Sequence, residues 1–313
     1  MKKILMLLTS IALLYSCNKN LELNLNYELT TKIDILDVVK DLKDYDNSDL
    51  FPNGTIDVTD GKVRVTFFIY DSNGVLVSEN TQLVDDFSKT VTITTNVAKG
   101  VYTLVSFADI VGVANNKINT ELWTIGNKES LRDLKVTKSS SNLFQYMALG
   151  ITKSIITLDK SESINIKTEP AGSLVTFLFT NIDQTKVASL SYGWNRESDY
   201  YLINDQKPNI VAGVWTNEFI MQPSISKYYD QRYFLPIDQL SFAWISYSPS
   251  LTQVLSKAMT VNVQSGINKV ITIDVKSGLY SESNSTKSAI ILSGGDNAIR
   301  IKSLPTNINK TKD

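Results

Sequence analysis

Beyond residue 60 the sequence is written almost entirely in short β-branched and aromatic runs, each closed by a turn signal. Lys62-Val63-Arg64-Val65-Thr66-Phe67-Phe68-Ile69-Tyr70 ends in Asp71-Ser72-Asn73-Gly74, where Asn-Gly suits positive φ, and residues 75–78 return as the partner strand. A second hairpin-like unit runs through residues 90–94, Lys99-Gly100 and residues 101–107. Strand character resumes over residues 153–158 and 163–167, and again over 173–179 after the break Glu169-Pro170-Ala171-Gly172. Residues 260–263 and 269–275 form a further hairpin about Ser265-Gly266, with short strands expected at 288–292 and 298–304. Residues 112–150 are less regular, with a helical turn expected at 130–134. Nowhere do helix and strand alternate. The pattern therefore excludes a parallel sheet wrapped by helices and predicts β-sandwiches.

The N-terminus reads differently. Lys2 and Lys3 precede an apolar run over residues 4–14, too short to span a bilayer and of the length of a secretory signal. Leu14-Tyr15-Ser16-Cys17 resembles the bacterial lipobox, in which the cysteine is acylated and becomes the new N-terminus. Cys17 is the sole cysteine, so it has no disulfide partner within the chain. The expectation is a signal peptide over 1–16 and a membrane anchor through lipid on Cys17, whose acyl chains bury methylenes at about 0.8 kcal/mol each. A polar tether, Asn18-Lys19-Asn20, leads into alternating residues 21–27, read as a half-buried strand. Ile33, Leu36 and Val39 fall near helical spacing, so a short amphipathic helix is predicted over residues 31–43, capped by Thr30 or Thr31. The expected organisation is a lipidated tether and first strand over 17–30, an N-terminal domain over 31–168 and a C-terminal domain over 169–313.

Composition narrows the chemistry. There is no histidine, which removes Ser-His-Asp and Cys-His catalysis and every histidine-ligated metal site. The formal net charge is −1, from 31 basic and 32 acidic residues, so no basic surplus invites nucleic acid. Asp44-Tyr45-Asp46-Asn47-Ser48-Asp49 begins like a calcium loop, but Asp49 stands at the glycine position and Thr55 where the bidentate glutamate belongs, so a solvated acidic loop is the better reading. Ser224-Ile225-Ser226-Lys227 has the Ser-x-x-Lys spacing without companion motifs. Neither an enzyme nor a cofactor is expected.

Aromatic residues crowd the second half. Phe234, Phe242 and Trp244 sit in apolar runs and read as core, whereas Tyr200, Tyr201, Tyr228 and Tyr229 lie beside polar residues. These four tyrosines, with Trp194, are the candidate ligand-binding residues, because an aromatic face with a polar edge suits sugar stacking or an interface.

The segment 63–77, followed by Lys99-Gly100-Val101-Tyr102-Thr103-Leu104-Val105-Ser106-Phe107, resembles the fimbrillin-type lipoproteins of Gram-negative anaerobes, particularly the anchor and accessory subunits of type V fimbriae. In these a strand ends in a Tyr-Asp-x-x-Gly turn and a later Gly-x-Tyr-Thr opens an inner strand. The resemblance implies two tandem transthyretin-like (Greek-key) β-sandwich domains, here with a short N-terminal helix, and an outer-membrane location facing the cell exterior. It also implies partner subunits engaged by β-strand addition. Polymerising members are implied to lose the lipidated N-terminal strand to an Arg-specific protease. Here no arginine precedes Arg64, inside an expected core strand, so this chain reads as a subunit that keeps its lipid. The alternative is a glycan-binding surface lipoprotein working with an outer-membrane nutrient importer, for which the aromatic residues are the motive.

Overall fold

The computed structural model describes residues 26–39, 60–84, 90–115, 117–139, 148–220, 227–285 and 298–300. Among them the chain is all-β, with four sheets enclosing two hydrophobic cores, as two β-sandwich domains would. The first half contains β1 (Asn26–Asp34), one helical turn α1 (Leu36–Val39), β2 (Asp60–Tyr70), β3 (Leu76–Val84), β4 (Val91–Ala98) and β5 (Gly100–Ala114). Short strands β6 (Lys117–Glu121), β7 (Trp123–Gly126) and β8 (Lys135–Lys138) follow, then β9 (Leu149–Leu158) and β10 (Glu162–Lys167).

In the first sandwich, a three-stranded sheet ordered β10-β1-β4 packs against a sheet in which β5 pairs with both β2 and β9 while β3 and β6 extend it. Alternation along β2 sends Val63, Val65, Phe67 and Ile69 to one face and Arg64, Thr66, Phe68 and Tyr70 to the other. All eight are buried, because the second face is covered in turn by the segment carrying β6, β7 and β8. A hydrogen bond of 2.7 Å between the Ser106 and Thr168 hydroxyls ties β5 to the segment leaving β10. The Tyr-Asp-x-x-Gly turn closes as its residues dictate. Asp71 Oδ1 accepts from the backbone N–H of Asn73 (2.8 Å) and Val75 (2.9 Å), and Gly74 takes φ +75°, open to a residue without Cβ. The Tyr102 hydroxyl donates to the Ala98 carbonyl at 2.7 Å, pinning the start of the inner strand β5.

The second sandwich comprises β11 (Ser173–Thr180), β12 (Ser189–Leu202), β13 (Lys207–Ile220), β14 (Lys227–Phe234), β15 (Ile237–Tyr247), β16 (Gln253–Val263), β17 (Asn268–Asp274), β18 (Tyr280–Ser285) and β19 (Ala298–Arg300). One sheet runs β18-β17-β11-β14-β19; the other runs β16-β15-β12, with β13 also paired to β12. Its core is aromatic. Phe177 stacks on Phe242 at 4.2 Å between centroids, and Trp194 meets Phe234 edge-on at 5.4 Å.

The two units are interlocked. The end of β12 leaves the second sandwich and pairs Tyr200, Tyr201 and Leu202 with Thr137, Val136 and Lys135 of β8. Tyr201 and Ile203 are thereby buried in the first core. At the junction the Tyr233 hydroxyl accepts from the Gly172 N–H at 2.8 Å and donates to the Leu149 carbonyl at 3.0 Å. A Cβ at Gly172 would lie 2.2 Å from the Phe234 carbonyl oxygen, so the backbone contact there requires glycine.

Four sequence expectations are corrected. The units about Lys99-Gly100 and Ser265-Gly266 are not hairpins but connections between sheets: β4 pairs with β1 whereas β5 pairs with β2 and β9, and β16 pairs with β15 whereas β17 pairs with β11 and β18. Residues 31–34, expected to begin a helix, belong to β1, and Leu36–Val39 form a helical turn, while residues 40–43 of the expected helix lie outside the described residues. Leu29, Thr31, Ile33 and Ile35 all face inward, a period of two that the helical spacing of Ile33, Leu36 and Val39 mimics over so short a stretch. Residues 112–139 carry β6, β7 and β8, with turns in place of a helical turn at 130–134.

Candidate functional site

The N-terminal strand sits in a seat with chemical consequences. β1 is the central strand of its sheet, antiparallel to β4 from Asn26↔Ala98 to Ile33↔Val91 and parallel to β10 from Leu29↔Glu162 to Asp34↔Lys167. Its inward residues Leu29, Ile33 and the following Ile35 are fully buried. At about 1.5–3 kcal/mol per buried aliphatic side chain, they hold the strand in place. Further contacts outline the seat: the Glu28 N–H donates to Ser161 Oγ at 3.1 Å, and Lys167 Nζ meets Asp37 Oδ2 at 2.5 Å beyond the strand. One residue fits imperfectly. Thr31 is fully buried and its hydroxyl has no hydrogen-bond partner among the described residues. Without β1, β4 and β10 would face each other across a strand-wide gap, each with an unpaired ladder edge.

Arg64 is held in the interior of the first sandwich. It is 5% exposed, with its backbone laddered to Leu83 of β3 and Asp109 of β5. Its Nε and one terminal nitrogen donate to the two Asp109 oxygens, each at 2.8 Å, in a bidentate pair. That terminal nitrogen also donates to the Trp123 carbonyl at 2.7 Å, the other reaches Glu121, and the Phe107 ring lies 5.4 Å from the guanidinium carbon. Burial pushes the Asp109 carboxyl up while the guanidinium draws it back down. The cluster fastens β2, β5 and the β6–β7 cover to one another. Beside it lies an open cleft of about 320 Å³, lined by Arg64, Glu121, the ion pair Lys128–Glu79 (2.6 Å), Thr66, Thr81 and two isoleucines. The cluster was not anticipated from the sequence. The signal available was an arginine and an aspartate, each flanked on both sides by apolar residues in its strand.

The candidate ligand-binding aromatics are not gathered on one surface. Trp194 and Tyr228 are core residues of the second sandwich, at 7% and 3% exposure, and Tyr201 is buried in the first core at 7%. The surface placement expected of Tyr201 and Tyr228 therefore does not hold. Of their polar sequence neighbours, Lys227 occupies the alternate strand position next to Tyr228, Asn204 stands in the turn after β12, and Asp230 is itself buried. Tyr200 is half-buried with Lys135 Nζ 5.3 Å over its ring, and Tyr229 is half-buried on a different sheet. Asp230 is fully buried beside the aromatic core; its Oδ2 accepts from the Tyr192 hydroxyl at 2.7 Å and Arg232 Nε at 2.9 Å. Among the described residues its Oδ1 has no partner. Burial raises the Tyr192 pKa well above its ordinary value, reinforced by the Asp230 charge. Among the described residues no group of three or more Asp, Glu or Cys is placed to hold a metal. Cys17 and the acidic loop at 44–49 lie outside the described residues.

No family model and no curated protein matches the chain in sequence. Solved structures match its fold. A candidate polysaccharide-binding protein from Bacteroides thetaiotaomicron aligns with a TM-score of 0.50 and 13% identity, over 80% of this chain and 92% of its own. The fimbrial anchor protein Mfa2 from Porphyromonas gingivalis aligns at 0.42 and 10% identity, over 82% and 95% of the two chains. The tip fimbrial protein Mfa3 of the same organism aligns at 0.44 and 9%, over 83% and 99%. The structural neighbours are thus fimbrial anchor and tip proteins and candidate adhesins. Identities this low speak to fold alone.

Proposed function

We propose that the chain is a lipid-anchored cell-surface structural or adhesive protein, a fimbrial anchor or accessory subunit that keeps its N-terminal strand and engages partner subunits by β-strand addition. Its two domains are transthyretin-like and divide in the Glu169–Gly172 segment, and its lipid is carried on Cys17 in the outer membrane, facing the exterior. The observation that carries this reading is the seat of β1, filled by the chain's own strand and followed by no arginine until the buried Arg64. Strand addition then falls to an outer edge. β16, at the rim of its sheet, has its Gln253–Ala258 half largely exposed and only β15 as a described partner. Deleting the gene should detach or mis-size the fimbriae on the cell, and the purified protein should bind a neighbouring fimbrial subunit in calorimetry. Unchanged fimbriae together with no binding would end this reading.

A glycan-binding role is a second reading, favoured by the polar cleft beside Arg64 but not by the aromatic residues, most of which are buried. Binding on a glycan array that is lost in Glu79→Ala and Lys128→Ala would support it; an array without hits removes it.

A further inference from the structure

Of the five large apolar side chains exposed among the described residues of the first sandwich, four lie toward one end, and the fifth, Leu36 (42% exposed), follows the other end of β1. Val75 (54% exposed), Val77 (46%), Val101 (47%) and Ile155 (71%) lie on or beside the turns that join β2 to β3, β4 to β5 and β9 to β10. Val101 pairs with Thr157 and Thr103 with Ile155, so Val101 and Ile155 are diagonal neighbours on one face of adjacent strands. The chain enters the fold at the same end, because Asn26 pairs with Ala98, next to the turn that starts β5. Residues 18–25 span at most roughly 30 Å when fully extended. A lipid on Cys17 therefore keeps this end close to the bilayer. The far end of the second sandwich, where Leu251 stands 77% exposed at φ 60°, lies beyond the whole length of β12. Charges near the entry end are of both signs, Lys99 and Lys160 beside Asp71, Asp159 and Glu162, so nothing there selects an anionic surface.

We propose that the entry end of the first sandwich rests on the lipid surface, with Val101 and Ile155 in contact with the bilayer interface and the Leu251 end pointing away from the membrane. The inference rests on the lipid-anchor reading of Cys17. Apolar side chains at a turn gain by settling into the interface once the tether has removed the cost of approach. The contact is apolar in character and is expected in zwitterionic lipid without dependence on salt.

The lone cysteine makes the test direct. The full lipidated chain is reconstituted in phosphatidylcholine–phosphatidylethanolamine vesicles, and Val101→Cys, Ile155→Cys and Leu251→Cys are each labelled with an environment-sensitive maleimide dye. Unaltered protein should take up no dye, because acylation blocks Cys17. The dye at 101 and 155 should shift to the blue and be quenched by nitroxide lipids, whereas at 251 it should report water. Dye reporting water at all three positions, or lipid at 251, overturns the orientation while leaving the anchor in place. Labelling of the unaltered protein overturns both, since Cys17 then carries a free thiol.

Discussion

Each sandwich sets an arginine against a buried aspartate, and the two pairs are finished differently. Arg64 holds both Asp109 oxygens and also reaches Glu121 and the Trp123 carbonyl. Asp230 receives Tyr192 and Arg232 on a single oxygen and leaves the other without a partner among the described residues. The first sandwich accommodates a strand arriving from the N-terminus and a cover built from short strands, so it depends on a polar rivet joining separate segments. The second is closed by stacked aromatics, and its ion pair is an addition to a core that already coheres. A complete buried network specifies an arrangement of elements; an incomplete one is tolerated where packing alone suffices.

This contrast can be broken by mutation. Arg64→Ala leaves the Asp109 carboxylate buried and unpaired, with an expected loss of about 3–5 kcal/mol in urea unfolding. A loss under ~1 kcal/mol would show that the cluster is no rivet. Ile33→Ala, which empties the buried C-terminal end of the β1 seat, should cost roughly 2–5 kcal/mol and speed proteolysis of the first sandwich before the second. Tyr192→Phe removes one hydrogen bond to a carboxylate that Arg232 still holds, for about 1.5–3 kcal/mol, and should leave the near-ultraviolet signature of the stacked aromatics intact. Thr31→Val replaces a buried hydroxyl, unpartnered among the described residues, by a methyl and should raise the denaturation midpoint, by about 1 kcal/mol in stability. The smallest effect is acid-dependent. Backbone N–H groups of Val75 and Asn73 hold Asp71 below the usual carboxylate range, so its contribution is present above about pH 4 and fades as pH falls through the lowered folded value. Asp71→Asn should flatten that acid limb of the stability profile and leave neutral behaviour nearly unchanged.

Hairpins with strong turn residues are the parts legible from sequence. The Asp71–Gly74 turn and the Gly100 start of β5 are local, and their chemistry fixes them wherever the rest of the chain goes. The runs on either side of Ser265-Gly266 are legible as strands but not as a hairpin, because β16 pairs with β15 and β17 with β11 and β18 of the other sheet. β1 is not legible in the same way, because its strand identity comes from partners in β4 and β10, remote in sequence, while its own spacing also fits a helical turn. The aromatic residues mislead for a related reason. Polar neighbours such as Asp230 suggest a surface for Tyr228 and Tyr229, yet Asp230 is itself buried, paired with residues two positions along its strand and across the sandwich. The Arg64 cluster escapes because the partners that neutralise it, Asp109 and Glu121, stand 45 and 57 positions away.

On the proposed reading this chain retains β1 in its seat, tethered by lipid on Cys17. Intact-mass measurement on protein extracted from cell envelopes tests it most directly. The account predicts a chain beginning at Cys17 with acyl groups attached and β1 present; a mature N-terminus beyond Asp34 would contradict it.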